Sequence, residues 1–252
     1  MDDESSKFLS EITIILGSLF PTDDFEINIT DFTDLQSTFK IFIHNRKDDE
    51  LCVFLQMFLS INTIAIALLN KCDVGECSGK ILVERIEKFV SKLKRIKTIT
   101  LHDASTVFLC DIEIKLSYLK ILTKGKSWYN SLNYVSCNNE LELSHNSKFI
   151  NEKMNNLDIT IINTLEQHSN YIQYNKKETI KSYVQRIMNL IPNPNCSHKS
   201  LDCDDIHRTN VIFLKFVVDT FTPYILYDEH RLTKSVNTQD GGKQRRKTKK
   251  KN

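Results

Sequence analysis

The sequence predicts an α/β (α+β) protein in which a mixed, mainly antiparallel sheet is flanked by helices and followed by a helical C-terminal extension. Two patterns predict it: strand-like alternation dominates the first half, and apolar residues at helical spacing dominate the second. With 252 residues and 40% hydrophobic composition, the chain is long enough for a large core. We divide it into a core at 1–150, a helical extension at 151–235 and a disordered basic tail at 236–252.

The first part of the core is predicted to be one helix and an antiparallel meander. Apolar residues at helical spacing run from Phe8 to Phe20, and Pro21 ends that helix. Alternating or continuous apolar runs, separated by polar turns, then indicate strands. The predicted strands are Phe25–Ile29, Phe39–His44, Leu51–Phe58 and Thr63–Leu69.

A glycine-containing loop at 72–80 follows the meander. The apolar stripe that begins at Ile81 predicts an amphipathic helix, and Ser78 is placed to cap its N-terminus. An alternating strand at 97–102 ends at Asp103, and a helix around 116–122 follows. The predicted order is therefore strands, glycine loop, helix, strand and helix.

The extension is predicted from its helical periodicity. Apolar stripes mark helices at 157–165 and 180–190, after which Pro192 and Pro194 break the pattern. A further apolar helix runs from Asp205 to Leu226 and is bent or ended at Pro223.

The stretch 125–134 holds the only Trp of the chain, Trp128, where a helical pattern stops. From Tyr129 to Tyr134 it spells Tyr-x-x-Leu-Asn-aromatic, which resembles the Tyr-x-x-Leu-Gly-Phe helix end of GCN5-type (GNAT) N-acetyltransferases. Asn133 replaces the glycine and suits a left-handed helix end. The resemblance implies that Tyr129 faces the acyl-CoA sulfur and supplies a proton or hydrogen bond to the thiolate. Alternatively, the aromatic residues simply pack the helix end onto the sheet.

The order of elements also resembles the GCN5-type core, which implies that acetyl-CoA is the cofactor. Its pyrophosphate would lie on the loop and helix N-terminus, at Gly75, Ser78, Gly79 and Lys80. The same residues also fit an ordinary strand-to-helix turn. Asp103 is a candidate to receive the amine proton through water, or it caps the following turn.

A second resemblance covers roughly residues 60–155. The runs Leu101-His102-Asp103-Ala104-Ser105 and Gly125-Lys126-Ser127-Trp128-Tyr129-Asn130-Ser131-Leu132, followed by Glu140 or Glu142 and Asn146, are similar to an uncharacterised family of nucleocytoplasmic large DNA virus proteins. The Gly-Gly-Lys basic C-terminus at 241–251 resembles those of such viral proteins. The resemblance implies viral kinship and assigns no activity.

Charge and cysteine usage suggest a compartment and partners. Seven Cys with no signal peptide predict free, buried thiols in a reducing compartment, the host cytoplasm or the virion, and no secretion. Removing the seven basic residues of 243–251 from the net charge of +2 leaves −5, so the body is mildly acidic. The basic tail is expected to contact nucleic acid, anionic surfaces or virion proteins.

Two other sites are considered and not favoured. The uncharged run 51–70 is long enough to span a bilayer, but its central amides and β-branched residues favour two buried strands, so no transmembrane segment is expected. A metal-like group matches no common zinc-finger spacing, and no metal is expected. That group is Cys196, His198, Cys203 and His207.

The sequence thus leaves two functions open. The first is a GNAT-like viral protein that acts as an acyl-CoA-dependent N-acetyltransferase on an amine of unknown identity. The alternative is a catalytically inactive GNAT-fold interaction protein, or a virion-associated protein with a basic tail. A third, weaker class is a membrane-anchored protein.

Overall fold

The computed structural model describes residues 3–32, 38–70, 78–167, 172–191 and 205–236. These residues form a mixed α+β structure, which confirms the predicted fold class. The helices are α1 Asp3–Leu19, α2 Gly79–Lys92, α3 Leu116–Lys124, α4 Trp128–Ser131, α5 Asn139–Ile150, α6 Ile159–Glu166, α7 Ile180–Met188 and α8 Asp205–Phe221. The strands are β1 Phe25–Phe32, β2 Thr38–Asn45, β3 Leu51–Phe58, β4 Thr63–Leu69, β5 Thr98–Leu101, β6 Thr106–Leu109, β7 Ile112–Lys115 and β8 Leu232–Ser235.

The chain divides into two compact units. Unit 1 contains the residues up to Leu101 together with those from Thr233 onward, and unit 2 contains His102–Leu232. Each unit has its own buried apolar core, and each is described by itself below.

Unit 1 is built on a six-stranded sheet with the order β1-β2-β3-β4-β5-β8. The first four strands pair antiparallel, which confirms the predicted meander. In β2 the alternate residues Phe39, Ile41 and Ile43 are buried, as period-two patterning requires. β5 pairs parallel to β4, and α2 provides the crossover that such a connection needs.

The helices of unit 1 follow their predicted caps and stripes. The Ser78 side chain accepts a hydrogen bond from the Ile81 amide at 3.4 Å, which confirms it as the N-cap of α2. The buried face of α2 is Leu82, Val83, Ile86, Phe89 and Val90. The first helix begins at Asp3, five residues before the first apolar residue of the predicted stripe, because polar residues extend its N-terminal turn.

A register change interrupts β4. Leu55 of β3 pairs with Ile66, but the neighbouring Phe54 pairs with Leu68, so Ala67 is an extra residue that forms a β-bulge. The parallel pairing with β5 also ends at Ile66, opposite Leu101. Beyond Ile66, only Leu68 and Leu69 of β4 pair with another strand, and that strand is β3.

Unit 2 combines a β6–β7 hairpin with helices α3 to α8. Its core cluster is formed mainly by β7, α3, α6, α7 and α8. The hairpin was not predicted: both turn residues, Cys110 and Asp111, have positive φ (48° and 61°), yet Cys-Asp lacks the usual Asn-Gly or Asp-Gly signal. The last long helix ends at Phe221, and Pro223 lies in a following 3-10 turn, so the predicted end at this proline is confirmed.

Several other predictions can be compared with the described residues. Leu51–Phe58 and Thr63–Leu69 are strands joined by a short 3-10 turn, as predicted. No helix among the described segments has both the length and the apolar character needed to cross a membrane. The prediction that all thiols are free is wrong for Cys52 and Cys110, which are each disulfide-bonded, whereas Cys137 is free and exposed. The tail, and the metal-like group except His207, lie outside the described residues.

Candidate functional site

The motif at 125–134 folds as a helix end followed by a separate short helix. Gly125 ends α3 with φ 80° and donates its amide to the Ile121 carbonyl at 2.7 Å. A side chain would be strained at this φ, so glycine is the natural residue here. The predicted left-handed conformation of Asn133 is confirmed, with φ 65°.

A reciprocal capping box starts α4. The Asn130 amide donates to Ser127 Oγ at 3.1 Å, and the Ser127 amide donates to Asn130 Oδ1 at 3.1 Å. The Asn130 side chain also donates to the Tyr134 carbonyl at 2.9 Å, which ties the end of the motif to its beginning. These three bonds fix the backbone on both sides of Tyr129.

The Tyr129 ring is largely buried, with 7% of its surface exposed. It makes edge contacts with Trp128 at 4.7 Å and with Tyr134 at 6.0 Å between ring centroids, so the aromatic residues of this segment pack against one another. Its hydroxyl makes no hydrogen bond to another residue of the described segments. Burial, and secondarily the charge of Asp103, raises the pKa of Tyr129 well above its usual value. This phenol therefore stays protonated at physiological pH, where its O–H can donate a hydrogen bond.

Asp103 is almost fully buried (1% exposed), and both of its carboxylate oxygens accept hydrogen bonds. Its Oδ1 accepts from the Ser105 hydroxyl at 2.5 Å and from the Ser105 amide at 3.2 Å, which makes an Asx-turn. Its Oδ2 accepts from the Tyr227 hydroxyl at 2.5 Å. Of the two roles considered for Asp103, this geometry favours the turn cap, because both oxygens are already occupied.

Tyr227 joins Asp103 to the α4 cap. Its oxygen lies 3.0 Å from Ser127 Oγ, and since its single proton is directed to the carboxylate, the Ser127 hydroxyl donates to it. Burial first, and then Asp103, raises the pKa of Tyr227, so this hydroxyl also remains protonated. The buried Asp103 and Ser127 and the partly buried Tyr227 thus form one hydrogen-bonded chain, which we call the Asp103 network.

Two polar residues of α5 hold the segment that carries Tyr227. Glu142 (3% exposed) accepts from the Ser136 hydroxyl at 2.6 Å and from the Asp228 amide at 3.2 Å. Asn146 pairs with both backbone groups of Leu226, at 2.8 and 3.0 Å. These bonds, which use Glu142 Oε1 and both ends of the Asn146 amide, fix the backbone of 226–228, so α5 sets where Tyr227 lies.

The residues expected to bind a cofactor lie in unit 1. Ser78, Gly79 and Lys80 form the N-cap and first turn of α2, as described above, and Gly75 lies outside the described residues. Lys80 is exposed and forms an i,i+4 ion pair with Glu84 at 3.8 Å. A helix N-terminus with free first-turn amides suits an anion.

Sequence reasoning missed Tyr227 and Ser127 as members of a polar network. Tyr227 is 124 residues from Asp103, so no local spacing could have joined them. The chain matches no known protein family, no curated protein and no solved structure.

Proposed function

We propose that the protein is a GNAT-like viral protein that transfers an acetyl group from acetyl-CoA to an amine. The observation that carries the proposal is Tyr129, a buried phenol held by the capping box of α4, with a hydroxyl that bonds to no other described residue and a raised pKa. A phenol kept protonated in this way can donate a hydrogen bond or a proton to the departing thiolate, although the raised pKa weakens it as an acid.

The chemistry needs two further groups. The amine attacks the thioester carbonyl, and an amide donor must stabilise the oxyanion that forms. The C–S bond then breaks, the thiolate takes a proton from Tyr129, and the proton that the amine loses returns to Tyr129 through water. Supporting this role, β4 has a bulge at Ala67, and its pairing with β5 ends at Ile66. Within unit 1, the β4–β5 pairing stops before the end of β4, and the first turn of α2 offers backbone amides of the kind that bind a pyrophosphate.

Calorimetry on the purified chain tests the proposal directly. Acetyl-CoA should bind with micromolar affinity, and release of free CoA should depend on an added amine from a panel of polyamines and lysine peptides. Tyr129→Phe should lower the turnover about 10- to 100-fold while leaving cofactor affinity within about twofold, because it removes only a general acid. Tyr224→Phe, an exposed tyrosine of the same unit, is the matched control. The proposal would be refuted if calorimetry detected no heat of binding at high micromolar acetyl-CoA.

One observation favours the alternative function. Both Asp103 oxygens are hydrogen-bonded and the side chain is 1% exposed, so Asp103 is poorly placed to accept the amine proton. The alternative is a GNAT-like interaction or virion-associated protein that kept the fold without catalysis. It predicts that Tyr129→Phe has no effect on acetyl-CoA binding or on any binding partner, and that CoA release is not detected with any amine.

The disulfides bear on where the protein works. Cys52 and Cys110 are each oxidised, and disulfides persist in oxidising surroundings that include virion surfaces. Within the proposal, they favour the virion over the host cytoplasm. The basic tail would then contact nucleic acid, an anionic surface or another virion protein, and truncation after residue 236 should abolish a salt-dependent association of the first two kinds.

A further inference from the structure

A second cluster of titratable side chains lies at the surface of unit 2. His102, Glu229 and His230 each offer one ligand atom, and these atoms all lie within 4.8 Å of one another. We propose that the three side chains bind a divalent transition-metal ion of the zinc class. This inference is independent of the acetyltransferase proposal, because none of the three ligands has a role in that function.

The spacing of the two imidazoles fits a metal. His102 Nδ1 and His230 Nδ1 lie 3.3 Å apart, and the rings meet at 69°. Two nitrogens bound at about 2.0–2.1 Å to a tetrahedral zinc are separated by about 3.3–3.4 Å. A metal ion bound between the two rings would accept a lone pair from each nitrogen.

Backbone bonds hold the ligands in place. The Asp103 amide donates to the Glu229 carbonyl at 2.8 Å, which joins the segment of His102 to the segment of Glu229 and His230. The His230 amide donates to Asp228 Oδ1 at 3.1 Å and closes the turn before it. Metal sites need such outer support, because the ligands must already point together when the ion arrives.

The donor set selects the metal. Two imidazoles and one carboxylate form a ligand set typical of catalytic zinc, whereas Mg²⁺ and Ca²⁺ prefer oxygen ligands only. Three protein ligands leave one position of a tetrahedral ion for water or for an external ligand. His102 and His230 are exposed, so this position is open to solvent.

One basic side chain competes with the ion. Lys115 Nζ lies 3.4 Å from Glu229 Oε2 and also packs over the ring of Tyr118 at 5.3 Å. Its side chain is 56% exposed, so it can move into solvent when a cation replaces it. Removing this lysine should therefore tighten metal binding rather than weaken it.

The experiment uses the full chain, freed of metal by dialysis against a chelator and titrated with ZnCl₂ alone by calorimetry. One equivalent should bind, and His102→Ala or His230→Ala should each weaken that binding at least tenfold. Lys115→Gln should strengthen binding by roughly two- to tenfold, because a competing positive charge is removed. His145→Ala, which removes another exposed histidine of unit 2, should leave the affinity unchanged.

Cobalt provides a readout of the ligands themselves. Bound Co²⁺ should show visible bands of a tetrahedral nitrogen–oxygen site without a thiolate charge-transfer band, and the bands should disappear in the two histidine variants. Trp128 fluorescence will report whether each variant remains folded. The proposal is overturned if no zinc binds below millimolar concentration, or if both histidine variants bind normally. It is also overturned if the equivalent is lost only in Cys203→Ser or His207→Ala.

Discussion

The Asp103 network makes a sharp prediction through Tyr227→Phe. The change keeps the ring and removes one hydroxyl, which donates to Asp103 at 2.5 Å and accepts from Ser127 at 3.0 Å. A hydrogen bond to a charged group contributes about 1.5–3 kcal/mol, and the neutral bond to Ser127 about 0.5–1.5 kcal/mol. Because Asp103 is 1% exposed, water cannot replace the missing donor without rearrangement. We expect the free energy of unfolding of unit 2 to fall by about 2–4 kcal/mol.

Trp128 is the only tryptophan and lies in unit 2, so its fluorescence during urea unfolding reports that unit. The matched control is Tyr224→Phe, in which the ring is 39% exposed and keeps its stacking on Phe149. This control should change the free energy by less than about 0.5 kcal/mol. If Tyr227→Phe costs no more than the control, the hydroxyl does not support Asp103, and the account of the network is refuted.

Three further predictions concern glycine, thiol and tyrosine chemistry. Gly125→Ala should lower the free energy of unfolding by about 1 kcal/mol or more, because φ at this position is 80°. Gly17→Ala lies inside α1 with nothing within 4 Å of the added carbon, so it should raise the free energy of unfolding of its unit by about 0.5–1 kcal/mol. Equal effects of the two substitutions in urea unfolding would contradict this. Cys137 should be alkylated in the folded, unreduced protein, while the two disulfide-bonded cysteines described above should react only after reduction, as peptide mass spectrometry will show. Burial raises the pKa of Tyr129 and Tyr183 above that of an unfolded tyrosine, so folding favours their protonated forms. The free energy of unfolding should therefore be unaffected by these two residues below about pH 10 and should fall above it by up to about 1.4 kcal/mol per pH unit for each. A free energy of unfolding that stays constant up to about pH 11 would refute this.

Local patterns predicted the elements whose signals lie within a few residues. The alternation of β2 and the helical pattern that stops at 125–134 are such signals, and both agree with the structure. The cap at Ser78 was predictable for the same reason, since its partner Ile81 is three residues away. Where both partners of an interaction lie within a few residues of each other, the sequence alone predicts the local structure.

The parts that could not be predicted depend on distant pairs. Asp103 meets Tyr227 across 124 residues, and His102 meets His230 across 128. No spacing rule connects such residues, because the folding of all the intervening helices brings them together. The β6–β7 hairpin was missed for a different reason: its turn adopts two positive φ angles with residues, Cys110 and Asp111, that rarely carry the hairpin signal.

The Asp103 network and the proposed metal site share one piece of backbone. Along 102–103 the exposed His102 and the buried Asp103 alternate, and the Asp103 amide bonds to the carbonyl of Glu229, itself a proposed ligand. The Tyr227 hydroxyl donates to the Asp103 side chain, so removing it should let the backbone at Asp103 move. The proposed ligands His102 and Glu229 should then move apart. Tyr227→Phe should therefore weaken zinc binding although its hydroxyl lies in the buried network, whereas a metal site independent of the network would keep its affinity. Measuring the free energy of unfolding and the zinc affinity of this one variant shows whether the Asp103 network positions the three proposed metal ligands.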